Sequence, residues 1–196
     1  MNTLLSIYIF SITITTGIGL VCRSCKNYLG DSCTLATTET CAPSVTSCYT
    51  SLMVAKFGNP FYPVVVKSCA THGELCHFTY NMSAGVELYN EVKCCEGDMC
   101  NEETIKLPPK NSTENGVQCP VCYAGAKSCT PTGNIKCQGP QTKCFTFSGG
   151  IYDERRFEDG AFQGCATENL CLNRVPTYPE TVFQEGYTLT CTDSKP

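Results

Sequence analysis

The chain has 196 residues, a formal net charge of −4, 18 cysteines, no Trp and two His. Its dispersed, slightly acidic charge offers no basic footprint for nucleic acid or anionic lipid and disfavours a cationic membrane-disrupting peptide. That cysteine density belongs to disulfide scaffolds of oxidising compartments rather than to cytosolic enzymes.

Taken in chain order, MNTLLSIYIFSITITTGIGL is apolar and free of charged side chains, and it reaches the small pair Gly17 and Gly19. It reads as a secretory signal peptide over 1–19. A membrane anchor of that length could just span a bilayer, but the Ser and Thr residues between 11 and 16, and a cysteine at 22 that must lie outside, favour cleavage. No second apolar run follows and only TDSKP lies beyond Cys191. Neither a membrane helix nor a lipid-anchor tail is expected, and the mature product reads as secreted and extracellular.

The cysteines then fall into two sets. From Cys33 the intervals to Cys41, Cys48 and Cys69 are 8, 7 and 21, and from Cys129 to Cys137, Cys144 and Cys165 they are the same. CRSC matches CPVC, and CATHGELC matches CATENLC. This is a tandem duplication, with a first domain over 20–101, a second over 119–196, and EETIKLPPKNSTENGVQ as a cysteine-free linker over 102–118. Domains of about 80 residues hold too little core to be comfortable alone, so bridges must make up the difference.

Within the first copy, the run from Cys48 to Cys69 holds two β-prone stretches around the breaker GNPFYP, a hairpin with an aromatic tip. HFTY and VELYNEVK read as the next strands, with NMSAG as their turn. In the second copy, FTFSGGIYDERRFEDGAFQGC and TYPETVFQEGYTLTC read as the corresponding hairpins. Asn81 in NMS, at that finger tip, and Asn111 in NST, in the linker, fit the N-glycosylation acceptor pattern.

Long hairpins from a cysteine knot, with a CxxC opening and the close CCEGDMCN, resemble the three-finger domains of the lymphocyte-antigen-6 and urokinase-receptor superfamily. The fold class is therefore expected to be all-β and disulfide-rich, with two tandem three-finger domains. The resemblance implies the pairs Cys22–Cys48, Cys25–Cys33, Cys41–Cys69, Cys76–Cys94 and Cys95–Cys100, a choice that spacing alone cannot make. Neighbours Cys94 and Cys95 on an extended chain point to opposite sides and can take different partners. The resemblance also implies that Asn101 bonds back into the palm. In the second copy it implies Cys119–Cys144, Cys122–Cys129, Cys137–Cys165 and Cys171–Cys191. There Thr192 replaces the second cysteine of the closing pair, so the C-terminal end is expected to be unclamped and frayed.

Catalytic readings fare poorly. CRSC and CPVC have zinc-knuckle spacing, yet an even cysteine set behind a signal peptide favours bridges, so no metal or cofactor is expected. No βαβ pattern supports a thioredoxin-like site. CCEGDMC approaches the CCxxHDxC of secreted phospholipase A2, but it has glycine at the histidine position, with Asp98 one place further on. Without an imidazole there is no general base, and no glycine-rich calcium loop lies upstream. The only histidines, His72 and His77, flank Cys76, and GxSxG is absent. The chain reads as a binding protein, not an enzyme.

Binding then falls to surface aromatics and arginines: Phe57, Phe61 and Tyr62 around GNPFYP, and Arg155, Arg156, Phe157 and Phe162 in the second copy. The competing reading packs some of them against a neighbouring finger or domain. The two-domain pattern of ten cysteines and then eight, with the tail TCTDSK, is similar to gamma-type phospholipase A2 inhibitors. That likeness implies a secreted protein that complexes extracellular phospholipase A2, and it suggests a homo-oligomer. Two alternatives share the scaffold: a pheromone-type secreted signal of the sodefrin-precursor-like group, and a soluble urokinase-receptor-like decoy that binds another extracellular protein.

Overall fold

A computed structural model describes residues 19–28, 30–56, 62–71, 76, 79–153, 156–172 and 186–193. The order is β1 (Val21–Asn27), β2 (Thr37–Thr40), β3 (Cys48–Lys56), β4 (Tyr62–Cys69), β5 (Tyr80–Ser83), β6 (Glu87–Cys95), a 3-10 turn at Cys100–Glu102, β7 (Glu114–Ala124), β8 (Gly133–Gln138), β9 (Lys143–Asp153), β10 (Arg156–Ala166), α1 (Glu168–Leu172) and β11 (Thr188–Asp193). The described residues are predominantly β-strand, and the 18 cysteines form nine disulfides with none free. Among the described residues no helix is long and apolar enough to cross a membrane.

The strands form one antiparallel sheet in the order β11-β9-β10-β5-β6-β3-β4-β1-β2, with β7 on β10 and β8 on β7. Because side chains alternate along a strand, β3 serves two cores. Tyr49 and Met53 face a core shared by both copies, while Leu52 and Val54 face the opposite side with Val65. The linker covers that second side: Ile105 and Leu107, two residues apart, pack onto it. The cysteine-free segment is thus an apolar strap, and its last residues already belong to β7.

The two copies meet through β10 and β5, where Cys165 pairs with Ser83 and Ala166 with Met82. The ladder is extended by the Thr167 N–H donating to Asn81 O at 3.0 Å and the Asn81 N–H donating to Thr167 Oγ1 at 3.1 Å. Beneath it, Met82, Ala84 and Leu88 of the first copy pack in one cluster with Phe145, Phe147, Phe162, Ala166 and Leu170 of the second. Two small copies thereby pool their apolar surface, which helps to make up for what each lacks alone.

Three local expectations change. The NMSAG turn gives way to strand at Tyr80–Ser83, because β5 is held by β6 on one edge and β10 on the other; the chain reverses instead around Gly85, whose φ of 79° suits glycine. Asn81 consequently stands in a strand at the domain junction, not at a finger tip. A helical turn, α1, follows CAT in the second copy and seats Leu170 in the core. The fraying expected of the second copy does not begin at Cys191: β11 stays paired with β9 as far as Asp193 opposite Lys143, and those side chains make a 2.6 Å ion pair, while residues 194–196 fall outside the described residues.

The duplicated strands also show why docking uses only one copy in this way. In the first copy the Cys69 N–H is capped by Glu39 Oε1 at 2.7 Å, and Ser68 Oγ donates to the same oxygen. In the second copy Gly164 and Cys165 stand where Ser68 and Cys69 do, and Ile135 pairs opposite Cys119 as Glu39 pairs opposite Cys22. With no carboxylate at 135, the Cys165 edge takes β5 instead. Partial burial alone would raise the Glu39 carboxyl pKa, but the hydrogen bonds from Ser68 and Cys69 prevail and hold it below its ordinary value. A depressed carboxylate pKa stabilises the fold above the unfolded-state value, and that contribution disappears as pH falls through the folded-state value. Glu39→Gln is therefore expected to lower stability by about 1 kcal/mol at neutral pH. The gap to the parent should narrow as pH falls below the ordinary glutamate range and through the lowered folded-state value; chemical denaturation across a pH series measures it, and a gap independent of pH would contradict this role for the carboxylate.

Candidate interaction surface

The chemistry of CCEGDMCN is structural. Cys94 reaches back to Cys76, and Cys95 closes a five-residue step to Cys100. Within that loop Asp98 Oδ1 accepts the Val21 N–H at 2.9 Å, and Met99 adopts a left-handed φ of 59° while donating its N–H to Val21 O. Asn101, 4 % exposed, accepts the Arg23 N–H at 2.9 Å and donates Nδ2 to the carbonyls of Arg23 and Tyr49, each at 3.0 Å. Lys67 Nζ beneath it donates to the carbonyls of Asn101, Glu102 and Glu103 at 2.7–2.8 Å. Burial draws the Lys67 pKa down while neighbouring Glu102 opposes that. Asp98 is thus engaged in holding β1. In the second copy Thr192 stands where the bridge-forming Cys95 does, and Pro120 stands where Arg23 does, without the N–H that Asn101 accepts in the first.

Two buried sulfur clusters, Cys22/Cys41/Cys69 and Cys119/Cys137/Cys165, have the proximity of metal ligands. Each sulfur belongs to a bridge: Cys22–Cys48, Cys41–Cys69, Cys119–Cys144 and Cys137–Cys165. Bridged sulfurs carry no thiolate, so the clusters are stacked staples. The remaining bridges are Cys25–Cys33, Cys122–Cys129 and Cys171–Cys191.

Of the surface residues singled out by sequence, Phe162 requires correction. It is 0 % exposed, stacked on Phe147 at 4.5 Å between ring centroids and edge-on to Phe145 at 5.9 Å. Alternation explains this: β10 presents Phe162 to the shared core. Tyr123 lies over it, 6.5 Å between centroids, and is itself 52 % exposed. Tyr62 opens β4, and Arg156 and Phe157 open β10, so all three lie at the ends of long hairpins. Phe57, Phe61 and Arg155 fall outside the described residues. Pairing makes β3, β5 and β9 run in one sense, so the β3–β4 and β9–β10 hairpins open toward the same end of the sheet.

Sequence reading missed the exposed Tyr28, Leu35, Tyr123 and Leu172. Leu35, 90 % exposed, lines an open groove of the first finger with Lys26, Asn27 and Thr34. An apolar residue in the polar run GDSCTLATT was the available signal. At the junction a second, polar cleft of about 30 Å³ is lined by Asn81, Glu87, Tyr89, Asn111 and Gln141, among others, and the linker's Lys110 pairs with Glu87 across its rim.

The u-PAR/Ly-6 domain model matches residues 18–103 and again 115–195. The chain is 32% identical to a phospholipase A2 inhibitor NAI from Notechis ater, covering 87% of this chain and 86% of that one. It is 30% identical to a gamma-type phospholipase A2 inhibitor chain from Elaphe quadrivirgata (88% and 86%), and 29% identical to protein RoBo-1 from Rattus norvegicus (82% and 66%). With two matched copies covering nearly its whole length, the chain belongs to the u-PAR/Ly-6 family.

Proposed function

We propose that this chain is a secreted, non-enzymatic binding protein that complexes extracellular phospholipase A2 and keeps it from its lipid substrate. The observation that carries the reading is identity of 30–32% across nearly the full length of relatives named phospholipase A2 inhibitors. The architecture supports it: a bridged scaffold with a shared core carries the β3–β4 and β9–β10 hairpins in one sheet, running in the same sense. On this reading Phe57, Phe61, Tyr62, Arg155, Arg156 and Phe157 form the contact region, large aromatics and arginines being the residues that anchor interfaces.

Titration of the purified protein against a panel of secreted phospholipases A2, with direct binding and mixed-micelle hydrolysis read together, tests this. Binding with loss of hydrolysis is expected, and Tyr62→Ala with Phe157→Ala should weaken binding at least about tenfold, roughly 1.4 kcal/mol. Absence of binding across the panel would remove the phospholipase reading and leave a secreted signal received by another protein.

A further inference from the structure

The two acceptor sequons, Asn81-Met82-Ser83 and Asn111-Ser112-Thr113, are equivalent as text and opposite as structure. Asn111 is exposed in the linker. Its Oδ1 is turned back to accept the Thr113 N–H at 3.1 Å, and the Thr113 carbonyl is fixed by the Gly139 N–H at 2.8 Å. Gly139 also makes room beside it, since a Cβ there would come within 3.2 Å of Asn111 Nδ2. Asn81 sits in β5 against the second copy, its backbone N–H and carbonyl both bonded to Thr167. Its Oδ1 is buried without a hydrogen-bond partner among the described residues, and the hydroxyl of its sequon serine, Ser83, donates to Gln141 Oε1 at 3.2 Å. Both asparagines line the same junction cleft, Asn81 at its wall and Asn111 at the linker side.

We propose that the folded protein carries one N-linked glycan, on Asn111, and none on Asn81. The donor is a lipid-pyrophosphate-linked oligosaccharide. The Asn111 amide nitrogen bonds to the first sugar's anomeric carbon as that carbon's bond to the pyrophosphate oxygen breaks. The lipid pyrophosphate leaves with the electron pair, and the amide proton passes to base. The cleft of about 30 Å³ where β5 and the strap meet the second copy has no room for a sugar on Asn81, so chains modified there cannot close the junction. A sugar on Asn111 extends from the cleft's outer rim. The inference rests on the secretory reading of the chain.

Expression through a eukaryotic secretory route, followed by peptide:N-glycosidase treatment in heavy-oxygen water and peptide mapping, places the label. The expected result is secreted protein with a single glycan step on gels and conversion of residue 111 alone to labelled aspartate. Thr113→Ala should abolish the step, and Asn81→Gln should leave it unchanged. Labelling at 81 in secreted, folded protein, or secretion with residue 111 unmodified, would overturn the assignment while leaving the secretory reading intact. Cytosolic retention with the leader uncleaved would overturn both.

Discussion

Gly164→Ala is expected to open the junction between the two copies. A Cβ on Gly164 would lie 2.0 Å from the Ser83 carbonyl oxygen, 2.8 Å from the Ala84 Cα and 2.9 Å from the Ala84 Cβ. These are chiefly backbone atoms of the first copy, with no flexible side chain to swing aside. Relief requires β10 to move off β5, which sacrifices the Cys165–Ser83 and Ala166–Met82 pairings and loosens the cluster below them. Overpacking of this kind costs about 3 kcal/mol, and the lost ladder adds to it. Gly133→Ala is the control: no atom lies within 4 Å of its Cβ position, so the change should be neutral or slightly stabilising. Thermal unfolding, with limited proteolysis of the linker as a second readout, measures the effect. Faster cleavage within 103–113 and a lowered Tm are expected for Gly164→Ala alone; a melting curve indistinguishable from the parent would show that the close approach is relieved without cost.

This junction also marks where sequence reading stops. The duplication, the β class and the long hairpins were legible because cysteine spacing and β-prone runs are local properties of the string. Strands β3 and β4 flank the breaker GNPFYP, and β9 and β10 form the hairpin read in FTFSGGIYDERRFEDGAFQGC. What was not legible depends on pairing between copies. NMSAG has turn composition, but β5 gains ladder partners on two edges, and that outweighs local preference. The EETIKL segment reads as a polar linker until Val54 and Leu52 are known to need cover on the second face of β3, which Ile105 and Leu107 provide. The exchange of Ser68 and Glu39 for Gly164 and Ile135 was visible as letters, yet its meaning needed the register that places Ile135 opposite Cys119. Hairpin tips, where the sequence concentrated its candidate binding residues, depend least on that register.

Phe162 is where fold and function can be told apart most sharply. As a surface contact its loss would weaken partner binding and leave stability nearly unchanged. Its burial predicts the opposite order of effects. Phe162→Ala removes a ring at 0 % exposure that touches Phe145, Phe147 and Tyr123, and the surrounding strands are held by bridges at Cys137–Cys165 and Cys119–Cys144 that restrict collapse into the space. Such a truncation costs about 3–5 kcal/mol, and a site that collapses poorly lies at the upper end. Phe157→Ala, five residues earlier at the hairpin end, carries the reverse expectation under the inhibitor reading, with a normal melt and weakened binding to phospholipase A2. The pair should be melted and titrated side by side: a large fall in Tm for Phe162→Ala is expected, with any binding loss following the folded fraction. An unchanged melt for Phe162→Ala with lost binding would instead return that ring to the contact surface and displace β10 from the core described here.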